Sequence, residues 1–429
     1  MVVFSSWKER TEIEKLGRQK SENLIELSPS CVDGELHVFA LWPNGHRHRE
    51  KFLEVLTSIF GRLALFEVDW TDDGATRNLQ RLYGVSEDMS ERLALIGKGT
   101  ITVAVVRDFS PEYKLELTPS RILEDANHRV VGAKNYLRAI TETPTFKYLV
   151  HSSNSSSEAS RDIFLLLGQS WFEKILSGEW PQSTIRLRTD LEGSKGWASA
   201  SDLVDFLNSG VRYAVLRPGS SREYPLGAGG DLDLLTENQE ATASSTNATP
   251  TRGDGLGNHF QVKVGDSSIT LDIRQIGDSD ADPRWQEHML ANRTLKDGIF
   301  VLQDEDMFFY LIYHAFFHSQ GKMSPARVGQ IATLGRVVLS SSLVRFTDEE
   351  GGFSNPVILA WLLNRFLTSK GYIFAQNRIL GSRKDPSFET FLEQSAAYDS
   401  KYFTWKQRLN LDLVSQALSD SNPLLGRLV

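Results

Sequence analysis

The chain has 429 residues, 40% of them hydrophobic and 24% charged, with a formal net charge of −8 and one cysteine, Cys31. That length exceeds one ordinary core and points to two or three domains; the apolar content excludes a disordered chain, and a lone cysteine excludes an internal disulfide. The acidic balance argues against broad attraction to nucleic-acid phosphates, no apolar run approaches the roughly 18 residues of a membrane span, and the N-terminus lacks the basic-then-apolar profile of a signal peptide, so we expect a cytoplasmic protein in which the Asn154, Asn247 and Asn292 sequons are incidental.

Residues 1–30 form a polar lead-in with one short helix expected at 7–20. From residue 35 the pattern sharpens: ELHVFALWP reads as a strand, REKFLEVLTSIF as a helix, RLALFEVDW as a strand, ATRNLQRLYGV as a helix and TITVAVVRDF as a strand. This alternation predicts an N-terminal α/β domain over 31–190 with a largely parallel sheet. Two of its segments are suited to meeting an anion. In one, Asn127-His128-Arg129 leads into a helix carrying Lys134 and Arg138 four residues apart. In the other, a strand ends in His151 and opens through Ser152, Ser153, Asn154 and further serines into a helix. Unpaired N–H groups at such a helix start attract phosphate, which makes His151, Ser152 and Asn154 candidate ligand contacts. Equally, Ser155–Ser157 can simply cap that helix, His151 can be a satisfied structural histidine, and Lys134 with Arg138 can form a solvated face.

Segment 169–197, with Trp171, Trp180 and Trp197 among polar residues, reads as a connecting helix and linker. SASDLVDFLNSG then gives an amphipathic helix ended by Gly210. An apolar strand follows at 213, then Gly219-Ser220, then Asp231-Leu232-Asp233. Alternation in a strand sets Asp231 and Asp233 on one face and Leu232 and Leu234 on the other. The stretch 237–258 is rich in Ser, Thr, Ala and Gly and reads as a mobile insertion, because it has little apolar surface to offset ordering entropy. HFQVKV and SSITLDIR form a hairpin about Gly265-Asp266, with Asp272 and Arg274 on one face of the return strand. Asp231, Asp233 and Asp272 together have the character of a site for hard divalent cations.

Farther on, DEDMFFYLIYHAFFHS is an apolar helix expected to be buried. His314 and His318 share one of its faces, but Ala315 stands where an H-E-x-x-H zinc site needs glutamate. Four helical stretches fill 325–429. Neither a P-loop nor a Rossmann G-x-G-x-x-G is present.

The hydrophobic strand, Gly219-Ser220, a ten-residue gap, Asp231-Leu232-Asp233 and the later Leu271-Asp272-Ile273 resemble the polymerase β-like nucleotidyltransferase superfamily over about 190–345. Arg222 and Gly230 also stand where members often carry an arginine and a small residue. The chain departs from the pattern at Pro218, before the Gly-Ser pair, and at Pro225, Gly227, Gly229 and Gly230, which interrupt the helix that usually follows. With the N-terminal α/β domain expected from the alternation of elements, the resemblance gives an α/β plus α+β fold class: a nucleotidyltransferase-like mixed sheet with helices at 191–325 and a C-terminal helical region at 326–429. It further implies transfer of a nucleoside monophosphate from an NTP to an unknown acceptor; separately, the first domain looks broadly like α/β modules found beside transferase domains in surface-polysaccharide loci, which suggests a carbohydrate or surface-polysaccharide context. Asp231, Asp233 and Asp272 would hold Mg²⁺ or Mn²⁺ and carry catalysis. Gly219, Ser220 and Arg222 would bind the nucleotide; Arg274 would contact a phosphate or pair with an acid. Two alternatives stay open: a non-catalytic nucleotidyltransferase-like assembly or regulatory protein, and a bifunctional protein whose N-terminal domain is a sugar-nucleotide-dependent transferase.

Overall fold

The computed structural model describes residues 34–60, 62–117, 123–218, 231–251, 257–318, 323–373 and 386–407. The helix expected at 7–20 lies outside them. The chain forms two compact units: Met1–Tyr213 with Pro218–Arg274 and Asp297–Ile299, and Ala214–Arg217 with Gln275–Lys296 and Phe300–Val429. The architecture is mixed α/β, with sheet-containing and helical regions.

In the first unit the chain runs β1 (Glu35–Leu41), α1 (Arg49–Ile59), β2 (Arg62–Asp69), α2 (Ala75–Tyr83), α3 (Ser90–Ile96) and β3 (Thr100–Asp108). A hairpin of β4 (Tyr113–Leu117) and β5 (Leu123–Asn127) leads into α4 (His128–Thr141), then β6 (Val150–Ser152), α5 (Ser156–Leu167), α6 (Gln169–Leu176) and β7 (Ile185–Arg188). The sheet order is β6-β1-β3-β2-β7. Phe39 and Leu41 on β1 and Ala104 and Val106 on β3 face Phe52 and Leu56 of α1 and Val130 and Leu137 of α4, forming one buried cluster. Val38 and Ala40 point the other way and are equally buried, and α5 packs on the same strand. Continuous apolar runs in β1 and β3 follow from this double cover.

The expected parallel sheet is corrected. β1 and β2 do run in the same direction around the α1 crossover, but β3 inserts between them antiparallel to both. β6 is antiparallel to β1, and only the β2–β7 pair is parallel. The alternation of elements encodes the crossover but carries no signal for a strand inserted within it. The expected linker at 169–197 is also structured: it supplies α6 and the edge strand β7, and Trp197 is buried.

The helix α7 (Ala200–Gly210) starts with a reciprocal cap, in which Ser199 Oγ accepts from Asp202 N at 3.2 Å and Asp202 Oδ2 accepts from Ser199 N at 2.9 Å. After β8 (Tyr213–Val215) come β9 (Asp231–Thr236), α8 (Gln239–Ser245), β10 (Thr249–Pro250), β11 (His259–Val264) and β12 (Ser267–Gln275). In the first unit these strands lie in the order β10-β11-β12-β9. The expected hairpin forms with Val264 opposite Ser267 and Gly265 at φ +57° in the turn.

Within 237–258, the described part is ordered rather than mobile. Thr242, Ala243, Ser244, Ser245 and Thr246 are buried, and α8 packs on α2. Ser244 Oγ bonds to the carbonyls of Gln80 (3.0 Å) and Val85 (2.9 Å), and Trp197 Nε1 donates to the Thr246 carbonyl at 2.8 Å. Gly84, at φ +64°, ends α2 where a Cβ would lie 2.9 Å from the Ala241 Cβ. Small side chains allow this close approach, and hydroxyl-to-carbonyl bonds supply the cohesion that apolar counting misses. Arg81 is fully buried and donates to the carbonyls of Leu191, Glu192 and Ser245. Burial lowers its guanidinium to about 9.

The short strands β13 (Thr294–Lys296) and β14 (Ile299–Val301) follow, and in the second unit Val301 of β14 pairs in parallel with Val215 of β8. The helices are α9 (Pro283–Ala291), α10 (Asp304–Phe317), α11 (Pro325–Val338), α12 (Ser341–Glu349), α13 (Pro356–Lys370) and α14 (Pro386–Ser395). As expected, α10 is buried: Phe309 stacks on Phe366 with centroids 3.9 Å apart, and Phe308, Leu311 and Ile312 are enclosed. Among the described residues no helix is long and apolar enough to cross a membrane.

Replacing Arg81 leaves three carbonyls without their donor, each a loss of about 1–3 kcal/mol when buried. We expect Arg81→Leu to lower the unfolding free energy by roughly 3 kcal/mol or more in urea titrations, while Arg186→Ala, on an exposed side chain, changes it by no more than about 0.5 kcal/mol. Equal effects at the two positions would contradict this assignment of Arg81.

Candidate functional site

The two N-terminal segments suited to anions come together. β6 ends at Ser152, and the following turn opens α5 with Ser155 as its cap, Ser155 Oγ accepting from Glu158 N at 3.2 Å. Ser155 therefore does what the capping alternative requires. Asn154 is a hub: its side-chain N donates to Glu124 at 2.7 Å, its backbone N donates to Glu158 at 2.6 Å, and its Oδ1 accepts from Lys134 Nζ at 2.6 Å.

Lys134 does not lie on a solvated face. It is 7% exposed, and burial lowers its ammonium from 10.5 to about 8. Glu124, on β5, is shifted the opposite way, raised by burial and by Glu158. Arg138, one turn after Lys134, spends both Nε and Nη2 on the Val150 carbonyl.

His151 Nε2 lies 2.9 Å from Asp162 Oδ2, with both side chains buried. Arg161 donates to the other oxygen of Asp162 at 2.7 Å and 3.0 Å. Burial alone would raise the Asp162 carboxyl, but the Arg161 charge and the His151 bond outweigh it and hold it below the usual range. The ligand atoms of His151, Glu158 and Asp162 lie within 4.8 Å of one another, which makes this a cluster capable of holding a metal ion. One imidazole and two carboxylates suit Zn²⁺, Mn²⁺ or Fe²⁺ better than Mg²⁺, which favours oxygen donors throughout. Ser152, on the opposite face of the strand from His151, has a buried hydroxyl without a hydrogen-bond partner.

Reading the sequence alone missed Glu124, Glu158, Arg161 and Asp162. Glu158 and Asp162 had a signal, one helical turn apart directly after the serine-rich turn. Glu124 had none, since it arrives from a hairpin thirty residues earlier.

Of the aspartates, Asp231 and Asp233 sit two apart on β9, and Asp272 sits on β12, the strand beside it. Asp231 is half-buried and Asp233 is 5% exposed, because β9 is covered on both faces. Asp272 faces Arg274 on its own strand, with Arg274 Nε 3.3 Å from Oδ1. Asp272 Oδ1 is buried and accepts no hydrogen bond. Among the described residues the three carboxylates are not drawn together to within 4.8 Å. Gly219, Ser220 and Arg222 lie outside the described residues.

In the second unit the His314 and His318 rings stack 4.7 Å apart. Burial, with Arg217 and His318 nearby, pushes His314 down to about 2. His318 Nε2 lies 3.0 Å from Asp280 Oδ1, and among the described residues neither histidine joins a metal-binding group.

Comparisons with protein-family profiles, with curated protein sequences and with solved structures return no match.

A lysine pKa lowered in the folded state opposes folding: the penalty is complete below about pH 8 and fades as pH rises toward 10.5. We expect the Lys134 amine, followed by NMR of ¹³C/¹⁵N-lysine protein and assigned with Lys134→Arg, to titrate near 8 while exposed lysines titrate near ~10.4. A Lys134 midpoint at or above about 10 would show the amine to be solvated.

Proposed function

We propose that the chain is a metal-dependent nucleotidyltransferase that moves a nucleoside monophosphate from an NTP to an acceptor. The observation that carries this reading is the adjacency of β9 and β12, which brings the strand of Asp231 and Asp233 beside the strand of Asp272. Asp272 is largely enclosed, and its Oδ1 meets the Arg274 guanidinium at 3.3 Å without a well-formed hydrogen bond, which leaves that carboxylate with coordination capacity a cation could use. When bound, Mg²⁺ or Mn²⁺ would neutralise triphosphate charge and lower the barrier to in-line displacement at the α-phosphorus. Asp231, Asp233 and Asp272 would hold it. Arg274, 3.3 Å from Asp272, orients that carboxylate and balances its charge before metal arrives. Gly219, Ser220 and Arg222 would receive the nucleotide, as the resemblance implies.

A second reading is favoured by one feature of the same strands: Asp233 is nearly enclosed and Asp272 already has a cationic neighbour. On that reading the fold serves assembly or regulation without catalysis. Titration with Mn²⁺ and each of ATP, GTP, CTP and UTP, followed by electron paramagnetic resonance, separates the two. For a transferase, one nucleotide gives tight Mn²⁺ uptake. Asp231→Asn and Asp233→Asn should each weaken it by more than the roughly 10–100-fold that loss of an outer-shell partner costs, with circular dichroism unchanged. Absence of nucleotide-dependent Mn²⁺ uptake by the wild-type chain, or full uptake by both variants, would leave only the second reading.

A further inference from the structure

The group formed by His151, Glu158 and Asp162 has no part in nucleotidyl transfer. His151 lies on β6, paired with Ala40 of β1. Glu158 and Asp162 lie four residues apart on α5, so one helical face presents both carboxylates. Each carboxylate is tethered through one oxygen. Arg161 donates to Asp162 Oδ1, while Oδ2 faces His151 Nε2 at 2.9 Å. The Asn154 backbone N donates to Glu158 Oε2 at 2.6 Å, while Oε1 lies 3.7 Å from the Arg161 guanidinium. Partners that fix a ligand through its second atom are a feature of built metal sites.

The charges around the group favour a further cation. Glu124, Glu158 and Asp162 face Arg161 and Lys134, while Arg138, farther along α4, is 3.6 Å from Glu142. The acids therefore exceed the cations by one, where little water reaches: the side chains of His151 and Asp162 are 7% and 0% exposed. Charge held out of water calls for a counter-charge. Donor atoms bound to one ion at about 2.0–2.2 Å lie within about 4.4 Å of one another. The three donors here lie within 4.8 Å, and rotation of Glu158, whose side chain is 25% exposed, closes the difference and gives an ion its way in. On binding, the ion takes His151 Nε2 and Asp162 Oδ2, and the imidazole proton resides on Nδ1.

We propose that His151, Glu158 and Asp162 hold a first-row divalent ion, Zn²⁺ foremost, which ties the edge strand β6 to α5 and keeps one coordination position for water. The nitrogen donor sets the site apart from one for Mg²⁺, and three protein ligands with an open position are an ordinary zinc arrangement. The site shares no residue with the aspartates assigned to nucleotidyl transfer and needs no nucleotide, so the two readings fail separately.

The test uses the full chain, stripped with a chelator and titrated with Co²⁺, Zn²⁺ and Mg²⁺ in the absence of nucleotide. We expect one equivalent of Co²⁺ to give the visible d–d bands of a four- or five-coordinate ion, Zn²⁺ to displace it, and Mg²⁺ to leave the bands unchanged. His151→Gln and Glu158→Gln should each weaken Co²⁺ by roughly a hundredfold or more, beyond the about 10–100-fold that loss of an outer partner costs, whereas Asp231→Asn binds it as the wild type does. Glu158→Gln retains an oxygen for the Asn154 N–H and decides the matter if His151→Gln does not fold. Saturating Zn²⁺ should raise the unfolding midpoint of the wild type and not that of Glu158→Gln. No stoichiometric Co²⁺ bands, full affinity in Glu158→Gln, or loss of the bands in Asp231→Asn would overturn the proposal.

Discussion

A buried guanidinium holds the first unit together. Arg81 takes a positive charge out of water and spends it on the carbonyls of Leu191, Glu192 and Ser245, two stretches more than a hundred residues along the chain. Such a charge is tolerable only when its donors are met, so α2, the segment after β7 and the end of α8 must arrive together. Arg77 repeats the connection more loosely through Asn247 at 2.9 Å. Because α8 sits between β9 and β11 in the chain, this clasp joins the sheet of β1–β3 to the strands bearing the aspartates within a single compact unit.

Much of the architecture was legible in local patterns. The apolar runs at 35–41 and 100–108 and the periodicity at 49–59 became β1, β3 and α1, and the Gly265-Asp266 turn fixed the hairpin register. What failed was information that lies between distant residues. Nothing local to 100–108 says that it inserts between two earlier strands with reversed direction. The Ser-, Thr- and Ala-rich segment at 239–246 has too little apolar surface to advertise burial; it is held by hydroxyls and by close approach to Gly84. The candidate residues behaved in the same way. Asp231, Asp233 and Asp272 were visible as residues on strands, whereas the enclosure of Asp233 and the Asp272–Arg274 pairing depend on cover that the alternating pattern does not specify.

The turn after β6 shows how burial separates chemically similar groups. Asp162, facing Arg161 and His151, is held ionised, while Glu124, whose direct partner is an amide, is raised. Lys134 bonds to the Asn154 side-chain oxygen rather than to Glu124 or Glu158, the two acids that Asn154 also holds. Asn154 thereby keeps an amine and two acids within reach of one another without letting them neutralise directly. Perturbed groups so arranged are a frequent mark of function, and here they surround the only cluster found among the described residues that can hold a metal ion.

The margins of the first sheet show a different kind of selection. β6 has three residues and β7 four, and β7 alternates Ile185 and Leu187 with Arg186 and Arg188. An outermost strand offers unsatisfied amides and carbonyls to any passing chain, and brevity together with cationic side chains discourages such templating. The interior strands β1 and β3, apolar on both sides, would be the most adhesive segments if uncovered; in the sheet, each is flanked by other strands. Guarding against intermolecular pairing is thus written into the same elements that complete the sheet.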